Sequence, residues 1–285
     1  MSTPVQPSGL ASARSFLFVP GQRPERFGKA LASGADAVIL DLEDAVPLTS
    51  KDDARTAIAM AWTNLTGPER ARLLVRINPA GTPWHAQDLA LLQQLVGLGA
   101  VMLPKAESSR AIADIARVCP GLPVLPLLES AEGFAQLDDI ARAPQVLRLG
   151  LGHIDLQADI GMACGPDEAE LAPARWALVT VTRRARLAPA VDGVTTATND
   201  ASALLRDTQR SRRFGFGAKL CIHPNQVAGV HQGFAPTETE RDWAERVLAA
   251  EAEAGGGAFS VDGKMVDAPV LALARQWLAR AASPV

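Results

Sequence analysis

Two carboxylates at matched positions set the chemistry this 285-residue chain can perform. Glu129 closes the apolar run 124–128, and Asp155 follows the apolar run 146–151 after the short link Gly152-His153-Ile154. Carboxylates delivered from neighbouring strand ends, with room left for water and substrate oxygens, suit Mg²⁺, a hard cation that keeps part of its hydration shell. The alternative is that each one caps the helix that follows it. Arg76 stands between Val75 and Ile77, where a lone cation needs an anionic partner. Its planar fork matches a carboxylate, either a substrate's or that of Asp41 or Glu43 in a structural ion pair. Further polar groups fall at comparable places: Asp41, Glu43, Asp44, Asn78, Lys105 and His223. His223, before Pro224, reads as structural. His153 has no companion at zinc-ligand spacing and reads as a neighbour of Asp155.

Such groups meet only if the runs that carry them are strands pointing one way. Short apolar runs at 15–19, 37–42, 72–77, 100–103, 124–128, 146–151, 191–194 and 218–222 are of strand length. Several are apolar throughout, as parallel strands covered on both faces are. Helical patterns lie between them, at 24–33, 50–64, 84–98 and 107–118, opened by Pro or Ser or closed by Gly or Pro. Eight such units predict a (β/α)₈ TIM barrel, whose chemistry sits at the C-terminal ends of the strands. An open doubly wound sheet would be favoured by GxGxxG after the first strand, and none follows it.

Residues 1–13 read as a flexible leader and 14–233 as the barrel. The segment 234–285 reads as a C-terminal helical lid or oligomer contact. Before it, 224–232 completes the eighth helix; within it, 238–254 is a strong Ala/Glu-rich helix, and Gly255–257 offers a hinge. A hairpin at 259–265 and a last helix at 268–282 follow. In that helix Val270, Leu271, Ala274, Trp277 and Leu278 form a face able to dock on another surface.

A net charge of −3 gives no general basic surface for nucleic acid or an anionic membrane. Cys119, Cys164 and Cys221 are widely spaced, without CxxC, which fits a reducing compartment. No apolar run has signal-peptide or membrane-spanning length, so a cytoplasmic protein is expected.

The strings themselves carry a resemblance. Arg14-Ser-Phe-Leu-Phe-Val-Pro-Gly21, Leu40-Asp-Leu-Glu-Asp-Ala-Val46, Val75-Arg-Ile-Asn78 and Met102-Leu-Pro-Lys-Ala-Glu-Ser108 occur in order. Leu127-Leu-Glu-Ser-Ala-Glu-Gly133, Gly217-Ala-Lys-Leu-Cys-Ile-His-Pro224 and Asp262-Gly-Lys-Met-Val-Asp-Ala-Pro269 follow. From about Arg14 to the end, the chain resembles the citrate lyase β-subunit-like family of the HpcH/HpaI aldolase superfamily. The resemblance implies an oligomer, commonly a trimer, that uses Mg²⁺ to make or break malyl-, citramalyl- or citryl-thioesters. Under it, Glu129 and Asp155 match the metal ligands, Glu129 also facing the substrate, and Arg76 matches the residue holding the 2-oxoacid carboxylate. Asp267 matches an acidic residue brought into a neighbouring subunit's site, the candidate for proton transfer; on sequence alone it is a helix N-cap. Asp41, Glu43, Asp44 and Lys105 would support the ligands and Arg76 from behind. The thioester carrier would be coenzyme A or an acyl carrier protein, with Arg14, Arg23 and Arg26 placed for phosphates. Relatives usually carry an acidic residue just before the metal-binding Asp, where this chain has Ile154. Other readings are a 2-oxoacid aldolase without thioester, a β-subunit of a citrate lyase complex, and a non-catalytic barrel that binds a thioester.

Overall fold

The computed structural model describes residues 9–254 and 257–281. Eight parallel strands close into a barrel in chain order: β1 (Ser15–Pro20), β2 (Ala37–Asp41), β3 (Leu73–Arg76), β4 (Ala100–Leu103), β5 (Val124–Leu128), β6 (Gly150–Leu151), β7 (Val191–Asp192) and β8 (Ala218–Cys221). Phe16 of β1 pairs with Ala37 on one side and Leu220 on the other, which closes the ring. Inside, Phe16, Ile39, Leu74, Met102, Leu125 and Leu127 pack as one core, so the barrel is filled and not a pore.

Sequence and structure differ most at β6. The run 146–151 contributes only Gly150 and Leu151 as strand, and Val146 makes an isolated bridge to Val124. Gln145 takes a left-handed φ of 64°, which delays the entry into the sheet. The expected helix at 24–33 divides into a 3-10 turn, Pro24–Arg26, and the α-helix Phe27–Leu31.

Residues 9–13, expected within the flexible leader, are instead ordered. Gly9–Ser12 forms one helical turn, and Leu10 and Ala13 are buried. The reason is Arg148, itself fully buried beneath the strands. Its Nη1 donates to the carbonyls of Leu10 (2.8 Å) and Ala13 (2.9 Å), and its Nε donates to Pro189 (2.8 Å). The guanidinium also lies 5.2 Å from the Phe16 ring centroid. Burial presses against its charge, and Asp36 offsets only part of that cost. Replacing it strands three buried acceptors, each costing about 1–3 kcal/mol. Arg148→Met is therefore expected to destabilise the chain by at least ~3 kcal/mol in denaturant unfolding. Residues 1–8 lie outside the described residues.

The chain divides into two compact units, one through Val230 and one from His231. In the second, the helices Glu238–Ala254 and Ala268–Ala281 flank a hairpin of β9 (Phe259–Val261) and β10 (Lys264–Val266). Trp243 and Trp277 meet edge to face at 5.3 Å. The face expected to dock elsewhere is taken up within this unit. Leu271 and Ala274 are buried with Ala244 and Val247, and Val270, Trp277 and Leu278 pack around them. Met265 and Leu273 remain exposed. Among the described residues, no helix is long and apolar enough to cross a membrane.

Candidate active site

The C-terminal rim of the barrel is built from strand-end residues in register. Asp41 ends β2 and Arg76 ends β3, and the two are direct partners across the ladder. Arg76 therefore meets Asp41 side-on: Nε donates to Oδ1 at 2.7 Å and Nη2 to Oδ2 at 2.6 Å. Asp41 also accepts the backbone N–H groups of Glu43 and Ala45, both at 2.9 Å, winding the loop that follows. That turn puts Glu43 Oε2 2.9 Å from Arg76 Nη1, without hydrogen-bond alignment, and Asp44 at 3.8 Å. The structural ion pair weighed from the sequence is thus formed. A guanidinium has a second edge, however, and the side-on pair fixes the plane so that Nη1 and Nη2 can grip another carboxylate. The Phe18 ring, 4.6 Å from Cζ, supports that plane. Burial works against the Arg76 charge, but Asp41, Glu43 and Asp44 outweigh it and hold its pKa above the usual range.

Glu129 follows β5 and is buried. Its Oε1 accepts the backbone N–H of Lys105 at 2.6 Å. Lys105 reaches it through a left-handed φ of 45°, an uncommon conformation for a residue with a side chain. Its ammonium turns the other way, to 3.4 Å from Glu43 Oε1. On the opposite side Glu129 lies against Gly152, where a Cβ would overlap Oε2, so glycine is required there. Gly152 opens the helix His153–Ile160, and Asp155 sits half-buried in its first turn. Arg76, Glu129 and Asp155 line one cavity of about 70 Å³.

Carboxylates outnumber cations around this cavity: Asp41, Glu43, Asp44, Glu129 and Asp155 against Arg76, Lys105 and the buried Lys51. Burial first, then Glu43 and Asp155, push Glu129 up to about 8. Burial, with Asp44 and Asp41 adding to it, pushes Glu43 up to about 7 despite Arg76. A buried carboxylate held in this way needs a proton or a cation. Among the described residues, no group of three or more His, Cys, Asp or Glu side chains is placed to hold a metal. Glu129 and Asp155 are a two-carboxylate set, the donor chemistry of an Mg²⁺ ion that fills its octahedron with water and substrate oxygens. The residues fit the ion.

A second polar cluster behind the site was not anticipated from the sequence. The His153 ring lies where a Cβ on Gly193 would be, and its Nε2 is 3.7 Å from Glu168 Oε1. Glu168, at a left-handed φ of 50°, also accepts Arg175 Nη2 and, at 2.7 Å, Arg210 Nη2. Asp192 is fully buried, 3.3 Å from Arg175 Nε, and Lys219 Nζ donates to the Gly193 carbonyl at 2.7 Å. A lone Lys within the run 218–221 and an Asp closing β7 were the available signals. The phosphate candidates do not assemble: Arg14 precedes β1, at the opposite end of that strand from Arg23 and Arg26, and lies 3.8 Å from Asp36. Arg23 is paired with Glu25 at 2.5 Å. His223 accepts the Asn225 N–H at 3.2 Å, a structural contact.

The family model described as HpcH/HpaI aldolase/citrate lyase matches residues 14–224, which include all eight barrel strands. The chain belongs to this family. A "citrate lyase subunit beta-like protein" of Deinococcus radiodurans is 37% identical, with 95% of this chain and 98% of the relative covered. A "(3S)-malyl-CoA thioesterase" of Cereibacter sphaeroides is 33% identical over 94% of both. The crystal structure of the protein CitE from Mycobacterium tuberculosis, in complex with magnesium, acetoacetate and coenzyme A, is 35% identical. It superposes with a TM-score of 0.83, covering 95% of this chain and 99% of that one. The closed (β/α)₈ barrel is thus the aldolase/citrate lyase fold, and the chain is a carbon–carbon lyase of this family.

Proposed function

We propose that the protein is a Mg²⁺-dependent lyase that cleaves or forms a 3-hydroxyacyl thioester of the malyl, citramalyl or citryl type. Its products in the cleavage direction are a 2-oxoacid and an acyl thioester carried by coenzyme A. The reading rests above all on one observation: Glu129, Asp155 and Arg76 line a single cavity. When bound, Mg²⁺ supplies Lewis-acid polarisation of the oxoacid carbonyl. Glu129 and Asp155 hold it, while Arg76, fixed by Asp41, grips the oxoacid carboxylate and orients the reacting carbon. Glu43 and Lys105 keep that arrangement charge-balanced. Asp267, from the second unit of a neighbouring chain, would take the hydroxyl proton in cleavage and return it to the enolate carbon, and in synthesis take the proton α to the thioester and return it to the new alkoxide. The reading takes the protein to be a cytoplasmic homo-oligomer, with a trimer favoured.

The test is a panel of malyl-, citramalyl- and citryl-CoA with and without Mg²⁺, following both products. Release of an acyl-CoA together with a 2-oxoacid supports the lyase. Release of free coenzyme A with an intact hydroxyacid would make it a thioester hydrolase, and turnover of free hydroxyacids alone a simple aldolase.

Arg76→Lys keeps the charge and loses the second edge of the fork. Oxoacid affinity is expected to fall by roughly 1.5–3 kcal/mol in calorimetry, the value of a charge-assisted hydrogen bond. A lower melting temperature with unchanged oxoacid affinity would leave Arg76 with only its pairing to Asp41.

A further inference from the structure

We infer that the oxoacid half of this site is shaped for a 2-oxo monocarboxylic acid bearing a short alkyl group, and against a dicarboxylic one. The inference rests on the oxoacid-binding reading above and narrows it. Its basis is the wall of the cavity, to which six apolar residues contribute beside the polar ones: Phe18, Leu127, Leu151, Ile154, Val194 and Leu220. Leu127, Leu151 and Leu220 are buried strand residues of the barrel, so this wall is fixed by the fold. Ile154 closes it at the rim, 47% exposed, in the position where a carboxylate would add polarity next to Asp155.

The polar groups of the cavity leave no partner for a second carboxylate. Arg76 is the single Lys or Arg among the described residues that line it, and Asp41 already takes one edge of its fork. The remaining edge, with Glu43 Oε2 already 2.9 Å from Nη1 though unaligned with it, serves at most one further carboxylate, the one adjacent to the keto group. His153 lines the cavity too, but its Nε2 is turned to Glu168 and its Nδ1 side is pressed onto Gly193. Lys105 Nζ is engaged with Glu43 and is not part of the wall. Glu129 and Asp155 are themselves anionic. A carboxylate on the oxoacid's substituent would therefore lose water and meet hydrocarbon or like charge. A methyl or ethyl group meets only hydrocarbon.

Calorimetry on the full-length, Mg²⁺-saturated protein tests this with glyoxylate, pyruvate, 2-oxobutyrate and freshly prepared oxaloacetate. Pyruvate is expected to bind about fourfold tighter than glyoxylate, the gain for one buried methylene-sized group. 2-Oxobutyrate should match or exceed pyruvate. Oxaloacetate should bind at least tenfold more weakly than pyruvate. Ile154→Glu should erase the gain of pyruvate over glyoxylate, and Ile154→Val should keep the order. Oxaloacetate binding as tightly as pyruvate, or glyoxylate more tightly, overturns the inference while leaving the oxoacid site standing. Mg²⁺ binding with no affinity for any oxoacid overturns the wider reading and this one with it.

Discussion

Glu129→Gln should lower Mg²⁺ affinity by roughly 100-fold or more, the upper end of what even supporting groups around a metal cost when removed. Calorimetry with Mg²⁺, or electron spin resonance with Mn²⁺ in its place, reads this directly. The same substitution should stabilise the metal-free protein increasingly as the pH rises from the ordinary carboxylate range to about 8. Glu129 is raised from the ordinary 4.5 to about 8, so the folded chain holds a proton there that the unfolded chain has released. The stability this gives is complete below the ordinary carboxylate range and is lost as the pH rises through about 8. Above that pH the wild type carries a desolvated anion with no cation beside it, and Gln does not. Metal-free Glu129→Gln should then melt well above the wild type at pH 8.5, by less at pH 6, and level with it below the ordinary 4.5. Mg²⁺ should restore the wild type at pH 8.5 and leave the variant unmoved. Unchanged Mg²⁺ affinity in both Glu129→Gln and Asp155→Asn would remove these residues from the metal site and leave Asp155 as a helix-terminus acid.

The proton that competes with Mg²⁺ also fixes how binding varies with pH. Below about 8 the ion must displace a proton from Glu129, so the apparent affinity should rise toward tenfold per pH unit and then level off. Glu43, raised to about 7, adds to the same trend.

Periodicity made most of this architecture legible. The wholly apolar runs at 100–103 and 124–128 are strands to the residue, because a run buried on both faces has few other places to go. The run at 146–151 was overread. Its one charged member, Arg148, is bonded to the carbonyls of Leu10 and Ala13, and partners that distant in sequence leave no local pattern. The same limit applied at the site. Strand-end position was enough to single out Glu129, Asp155 and Arg76. It could not show that Lys105 acts on Glu129 through its backbone, or that Gly152 and Gly193 are glycines because Glu129 and His153 fill the space beside them. Nor could an amphipathic pattern reveal what its apolar face touches. The helix Ala268–Ala281 spends that face on Ala244 and Val247, a few tens of residues earlier in its own unit.

That last point bears on Asp267, for which the loss of turnover should be largest. Asp267→Asn should reduce turnover by about 10²–10⁴-fold, the range for a general acid or base, with Mg²⁺ and oxoacid binding retained. Asp267 is the N-cap of Ala268–Ala281: Oδ1 accepts the Val270 N–H at 3.3 Å, and its carbonyl accepts that of Leu271 at 2.9 Å. Asn caps as well as Asp, so the variant removes the carboxylate and keeps the helix, and an unchanged melting temperature would confirm that. If the proton is transferred across a subunit boundary, two dead variants can repair each other. Asp155→Asn chains would supply Asp267 to Asp267→Asn chains that still hold the metal. With equal amounts exchanging at random, about one site in four would carry both carboxylates, because each comes from a different chain. Activity near a quarter of wild type would therefore be expected after subunit exchange. With the apolar face of the last helix occupied at home, the contact between chains must use groups left outside, and Met265, 69% exposed two residues before Asp267, is the first of them. Met265→Glu should impair assembly and activity together. Verified mixed oligomers with no activity would confine Asp267 to its cap and pass the proton to Glu43, whose pKa near 7 suits the task.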